Sequence, residues 1–181
     1  MTSNQFIRGR CIEYEVDAVA MKGGDTVLVE VKHNVNPHSY EGVDVCLKVW
    51  ATMEDVLEGY RLNINQMGVN RALIACNTRF SDHAKQFSAC RNISLLGWRM
   101  PEVRGMERII EDHGLYPITM IRDLEAEVEA RLADNGIILI RQLAEFDASE
   151  LSVRLGIGED RLKSVVEKAE AIKAGLSRWE A

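Results

Sequence analysis

The tetrapeptide Lys22-Gly23-Gly24-Asp25 interrupts a stretch, Ile12 to Val31, in which β-branched and other apolar residues alternate with polar ones. Adjacent glycines supply the positive φ angles of a type I′ turn, so the stretch predicts a β-hairpin with a two-residue loop. Lys22 then faces Asp25, and stepping down the ladder brings Asp17 opposite Glu30 and Glu15 opposite Lys32. Alternation of side chains predicts one apolar surface made of Val16, Ala18, Ala20, Val27, Val29 and Val31. The other surface gathers Glu15, Asp17, Glu30 and Lys32.

Directly opposed side chains have Cβ atoms roughly 4.5–5.5 Å apart, a range at which like charges destabilise a sheet. A divalent cation between Asp17 and Glu30 relieves that repulsion, because a hard ion such as Mg²⁺ takes carboxylate oxygens and needs only one or two of them. Lys32, one pleat further along, is placed to orient or deprotonate a water or to balance charge developing on a phosphate. The same four residues also suit a plain solvated face with a Glu15–Lys32 cross-strand pair. A one-residue slip of register would remove the site.

Beyond the hairpin the period changes. Cys46, Val49, Trp50, Met53, Val56, Leu57 and Tyr60 recur at three- and four-residue steps, which predicts an amphipathic helix from about Val43 to Gln66. Arg71 to Cys76 reads as a buried strand, Ser81 as the N-cap of a helix from Asp82 to about Cys90, and Ile93 to Trp98 as a further strand. Strand, helix and strand in this order predict a right-handed crossover between parallel strands. The character changes near Gly114-Leu115-Tyr116-Pro117, and residues 117–181 read as helices only. Within them, Leu151 to Leu155, Gly156-Ile157-Gly158 and Glu159 to Ala171 form a helix, a tight turn and a helix. The division expected is 1–116 and 117–181.

A chain of 181 residues has room for one core and a small appended unit. Its 46% hydrophobic and 28% charged residues exclude the disordered and collagen-like classes. No apolar run approaches the roughly 20 residues of a spanning helix, and the first residues lack the basic and apolar regions of a signal peptide. A cytoplasmic protein with no membrane partner is the expectation. Cys11, Cys46, Cys76 and Cys90 are too widely spaced for a zinc ribbon and read as reduced thiols. The net charge of −6 excludes coating of nucleic acid by bulk electrostatics. Residues 117–181, with 13 acidic and 9 basic side chains, carry a net of −4 and are no general polyanion binder either.

Glu15-Val16-Asp17-Ala18-Val19-Ala20, the Gly-Gly turn and Val29-Glu30-Val31-Lys32-His33 resemble the core of the Mrr-like restriction endonucleases, a branch of the PD-(D/E)XK nuclease superfamily. Cys76 to Lys85 and Ile93 to Trp98 are similar to the strand–helix–strand that closes that fold. The likeness spans about Gly9 to Thr119 and is nearest to a branch in which an ATP-cone domain often precedes the core and a small helical module follows it. It implies an α/β fold, a restriction-endonuclease-like mixed sheet flanked by helices, with a small all-α C-terminal module. It further implies Asp17, Glu30 and the Val31 carbonyl as ligands of Mg²⁺ or Mn²⁺, Lys32 as catalytic lysine, and a DNA phosphodiester as substrate. In that superfamily a helix before the first strand often adds a glutamate, whereas this sequence opens almost at the strand around Phe6-Ile7-Arg8. Either the sequence is then a fragment of a longer protein, or a second copy or a partner chain covers the sheet surface left bare; Glu15 is the residue placed to compensate.

Other candidates carry less. His33 and His38 lie in a loop with Pro37, where exposed histidines are common, and Lys48 and Gln66 are read as solvated positions of the long helix. Arg79, between a strand end and a helix start, is placed to meet a DNA phosphate. Leu155-Gly156-Ile157-Gly158 resembles a helix-hairpin-helix turn, in which the amides of Gly156 and Gly158 would approach a phosphate. Glu159 and Asp160 oppose that role. The alternatives are an inactive nuclease-fold subunit that serves as an interaction module, and a metal hydrolase acting on nucleotides.

Overall fold

The computed structural model describes residues 2–102 and 104–176. Two compact units divide at Glu107/Arg108, inside helix α3 (Met106–His113), somewhat before the change of character at Gly114 to Pro117.

The first unit is mixed α/β. Strands β1 (Thr2–Arg8), β2 (Glu13–Lys22), β3 (Asp25–Lys32), β5 (Arg71–Cys76) and β7 (Ile93–Leu96) form a five-stranded sheet in the order β1-β2-β3-β5-β7. The first three run antiparallel, while β3, β5 and β7 are parallel. Gly23 and Gly24 adopt φ values of 59° and 90°, the backbone the predicted turn demands, and Lys22 pairs with Asp25. Helix α1 (Val43–Arg61) packs against β5 and against α2 (Asp82–Cys90), whose N-cap Ser81 accepts a hydrogen bond from the Ala84 amide. The strand–helix–strand crossover and its cap are therefore as expected. A two-stranded parallel sheet, β4 (Tyr40–Glu41) with β6 (Arg79–Phe80), lies outside the elements expected from sequence.

Three expectations need correction. Helix α1 ends at Arg61 rather than Gln66, because Asn63 turns the chain at φ 57° and the Asn65 amide group bonds back to the carbonyls of Arg8 and Val56. Strand β7 stops at Leu96, where the Gly97 amide bonds to the Met100 carbonyl and opens a turn that includes Trp98. The third concerns the faces of the sheet. Leu28 and Glu30 pair with Ala72 and Ile74 of β5, and this is the side that α1 covers: Leu28, Ala72, Ile74, Val45, Val49 and Val56 form one buried cluster. On the opposite surface Ala18 is buried, Val27, Val29 and Ala20 are half-buried, and Val31 is exposed. Val16 leaves that surface and joins the core with Val19, although an unbroken strand would send residues three apart to opposite faces. The alternation therefore slips at Asp17–Ala18, and the β1–β2 pairing passes over Asp17 and its counterpart Asn4, which has φ 49°.

The turn between β1 and β2 is tied to α1. The Asp55 carboxylate accepts the amides of Cys11 and Ile12, and Gly59 has no side chain because a Cβ there would lie 2.9 Å from the Gly9 carbonyl carbon.

The second unit comprises a 3-10 turn (Ile118–Met120) and helices α4 (Ala126–Asp134), α5 (Ile140–Leu143), α6 (Ala148–Leu155) and α7 (Glu159–Leu176). Its own core includes Val128, Leu132, Ile140, Leu143, Leu151, Leu155 and Leu162. Asp147 caps α6, and Gly156 ends it in the left-handed conformation, φ 66°. Helix, turn and helix thus lie where the sequence puts them. No helix among the described residues is long and apolar enough to cross a membrane.

Burial alone would push the Asp55 carboxyl up, but the hydrogen bonds from Cys11, Ile12 and Tyr14 outweigh it and hold the group below the usual carboxylate range. A depressed folded pKa stabilises the fold fully above the ordinary carboxylate pKa, and the contribution is lost as pH falls through the depressed value. Asp55→Ala is therefore expected to lower the urea midpoint at pH 7 and to bring mutant and wild-type midpoints together at low pH. An equal gap at both pH values would contradict this role.

Candidate functional site

Pairing between β2 and β3 follows the predicted register from Lys22↔Asp25 to Ala18↔Val29 and stops there. The expected ladder opposition of Asp17 to Glu30, and of Glu15 to Lys32, does not form. Instead Asp17 reaches across with its side chain: its Oδ2 accepts the backbone N–H of Val31 at 2.6 Å. The slip in strand alternation is what frees the carboxylate for this bond. Asp17 and the Glu30–Val31–Lys32 segment are thus joined, through a side chain rather than a ladder pair.

Glu30 is 8% exposed, sharing its face with Ile74 under α1. A buried carboxylate needs compensation by positive charge or hydrogen bonds. Lys32, two residues on and therefore on the same face, places Nζ 2.6 Å from Glu30 Oε1, and Lys48 of α1 places its Nζ 3.4 Å from the same oxygen. Lys48, read from sequence as a solvated helix position, is largely exposed and also reaches the site. Its reach from the second turn of α1 to Glu30 on β3 is a tertiary fact that no local pattern signals.

The Lys32 ammonium is held above its ordinary range, first by its hydrogen bond to Glu30, against the opposing effect of burial, and further by attraction to Glu30, Asp17 and Glu41. Glu41 is the other residue missed. It sits on β4, and its Oε1 accepts from the Asn34 side chain at 2.6 Å, while the Asn34 amide bonds to Asn77 Oδ1 and its side chain also reaches Thr78 Oγ1. These polar side chains tie together the segments that leave β3 and β5 at their C-terminal ends. Crevices at the C-terminal ends of parallel strands are the usual place for ligands in open α/β sheets.

The remaining candidates are placed as follows. Glu15 is exposed and pairs through its backbone with Phe6 of β1; among the described residues it forms no ion pair with Lys32. His33 and His38 are exposed, and Gln66 lies in the loop after α1. Arg79 is exposed on β6 beside Tyr40. Gly158 precedes α7 with open space around its missing Cβ, and Glu159 and Asp160 occupy the first turn of that helix. No group of three or more His, Cys, Asp or Glu side chains suited to a metal ion is present among the described residues. The oxygen donors at the site are the two carboxylates of Asp17 and Glu30 and the backbone.

Residues 116–173 match the family described as AF1548-like, C-terminal. Over 171 residues the chain is 30% identical to an uncharacterized protein of Archaeoglobus fulgidus, covering 94% of this chain and 91% of that protein. It is similar, with a TM-score of 0.83 and 30% identity, to the crystal structure of AF1548, a protein of unknown function, over 96% of this chain and 89% of that one.

Because Glu30 is the main reason the Lys32 ammonium binds its proton more tightly, Glu30→Gln is expected to lower the Lys32 pKa, read by NMR of the labelled side-chain amine. An unchanged titration would show that the ion pair does not persist in solution.

Proposed function

The chain belongs to the AF1548-like family, and we propose that it is a metal-dependent endonuclease that hydrolyses DNA phosphodiester bonds on a restriction-endonuclease-like core of the Mrr-like PD-(D/E)XK type. The observation that carries this reading is the junction where β2 parts from β3, at which the Asp17 carboxylate, the Val31 backbone, Glu30 and Lys32 meet. It lies within the residues that resemble that superfamily.

The donor set suits Mg²⁺ or Mn²⁺. Oδ2 of Asp17 is engaged by Val31 and Oε1 of Glu30 by the two lysines, which leaves one carboxylate oxygen on each residue outside those bonds. Hard divalent ions take such oxygens, and Mg²⁺ commonly binds through one or two carboxylates, completing its shell with water and substrate phosphate. Asp17, Glu30 and the Val31 carbonyl would hold the ion. When bound, it supplies Lewis-acid stabilisation of the phosphate and a more acidic water.

The chain's own residues then divide the remaining work. Lys32, kept firmly protonated, serves as a fixed positive charge near the phosphate rather than as a base. Lys48, the more exposed of the two partners of Glu30, is free to turn from that carboxylate to an incoming phosphate. Glu15 is assigned to holding water at the edge of the site. The Gly156-Ile157-Gly158 turn and Arg79 would contact the DNA backbone, and the space where a Gly158 Cβ would stand is open. A cytoplasmic location belongs to the same reading.

A second reading rests on a specific observation. Glu30 is already neutralised by two ammonium groups, an arrangement that an inactive nuclease-fold interaction subunit would also keep. Cleavage separates the two. Incubated with supercoiled plasmid and Mg²⁺ or Mn²⁺, the wild type is expected to nick or linearise it, whereas Asp17→Asn, Glu30→Gln and Lys32→Ala lower the rate by about 100-fold or more, the order of loss when a group stabilising transition-state charge is removed. Asp17→Asn keeps an acceptor for the Val31 amide, so its loss of activity would report chemistry rather than folding. Undiminished cleavage by all three variants refutes the assignment, and a wild type without activity favours the interaction subunit.

A further inference from the structure

The first unit holds a recess of about 390 Å³ that the chemistry above does not use. Two aromatic side chains line it, Tyr40 of β4 and Trp98 of the turn after β7, and both keep a large share of their surface in solvent, 58% and 44%. Three cations stand around them: Arg79, Lys85 and Arg99. Acidic groups line the wall as well. Asp82 is paired with Lys85 at 3.2 Å, and Glu102 is the other carboxylate. Buried Phe80 and half-buried Met100 form apolar parts of the lining.

Its walls come from the segments that follow the C-terminal ends of three adjacent parallel strands: Tyr40 after β3, Arg79 after β5, Trp98 and Arg99 after β7. Tyr40 is the neighbour of Glu41, which acts on the Lys32 ammonium, so the recess opens at the same edge of the sheet as the candidate site. The Trp98 amide bonds to the Thr78 carbonyl at 2.7 Å, fixing the two loops to one another. Arg99 is held at φ 56°, rare for a side chain other than glycine, while its backbone N–H donates to both carboxylate oxygens of Glu107 at 3.0 and 2.8 Å.

We infer that this recess binds one unpaired nucleotide of a DNA strand, with the base stacked on Trp98 and Tyr40 and its phosphate met by Arg79. Exposed aromatic faces beside cations are the combination that holds single-stranded nucleic acid, because every base has a π-face and every nucleotide a phosphate. In a duplex the base faces are occupied by their neighbours, so an aromatic ring inside a recess can stack only on a base that has left the helix. The substrate class that follows is DNA with an unpaired nucleotide beside the cleaved bond, such as a single strand, a flap, a branch or the transiently unpaired stretches of a supercoiled plasmid. This substrate assignment rests on the nuclease reading, but the binding it requires is measured without cleavage.

The test is fluorescence anisotropy on the full chain in EDTA, with a labelled oligothymidylate and a blunt duplex of equal length. The single strand is expected to bind about tenfold or more tighter than the duplex. Trp98→Ala and Arg79→Ala are each expected to weaken single-strand binding by about tenfold, while Trp98→Phe, which keeps a ring to stack, restores most of it. Thermal melts confirm that each variant is folded, and an unfolded Trp98→Ala leaves the comparison of Trp98→Phe with Trp98→Leu to decide. Equal affinity for the two DNAs, or single-strand binding indifferent to Trp98, overturns the inference. If the catalytic variants lose cleavage while Trp98 proves irrelevant, the recess fails and the nuclease stands; if Trp98 matters and no variant changes cleavage, the catalytic assignment fails alone.

Discussion

The hydrogen bond from the Val31 amide to the Asp17 carboxylate holds the two halves of the site together. Where β2 and β3 stop exchanging backbone hydrogen bonds, the Val31 N–H needs another acceptor, and an ionised carboxylate is a stronger one than a carbonyl. Hydrogen bonds to charged groups contribute about 1.5–3 kcal/mol, so the interaction is strong enough to fix the side chain across the gap. The interruption also explains why Val16 and Val19 share a core that regular alternation would deny to one of them. Irregular strand geometry of this kind is frequent beside functional sites, where it re-aims a side chain.

Glu30 adds the electrostatic half of the account. A carboxylate placed under α1 and beside Ile74 needs partners, and Lys32 and Lys48 supply them from two different elements. The three groups form a compact charged set with more positive than negative charge. Asp17 and Glu41, which also act on the Lys32 ammonium, offset that excess. On the proposed reading a phosphate would be met locally by the divalent ion and the two lysines, so the overall charge of −6 is no obstacle.

Much of this was legible in the sequence, and the limits have physical causes. The Gly-Gly turn, the period of α1, the Ser81 cap and the Gly156 stop are local signals, and each element formed where its residues directed, except that α1 ends at Arg61 rather than Gln66. The apolar series Val27, Val29, Val31 pointed to the wrong covered face, because burial is decided by which face the crossover helices occupy, and Ala72, Ile74 and Cys76 align with Leu28, Glu30 and Lys32 instead. Register could be read from the turn but not the place where the ladder ends, since the slip at Asp17–Ala18 depends on β1 as well as β3. Lys48 and Glu41 were missed because they reach the site from α1 and β4 through contacts distant in sequence.

The central claim is that Asp17 and Glu30 share one divalent ion. Isothermal titration of the folded chain with Mn²⁺ tests it most directly. The account predicts a saturable heat with a stoichiometry of one ion per chain, abolished in Asp17→Asn and in Glu30→Gln alike. A titration without such a heat, or one that both variants leave unchanged, would contradict it.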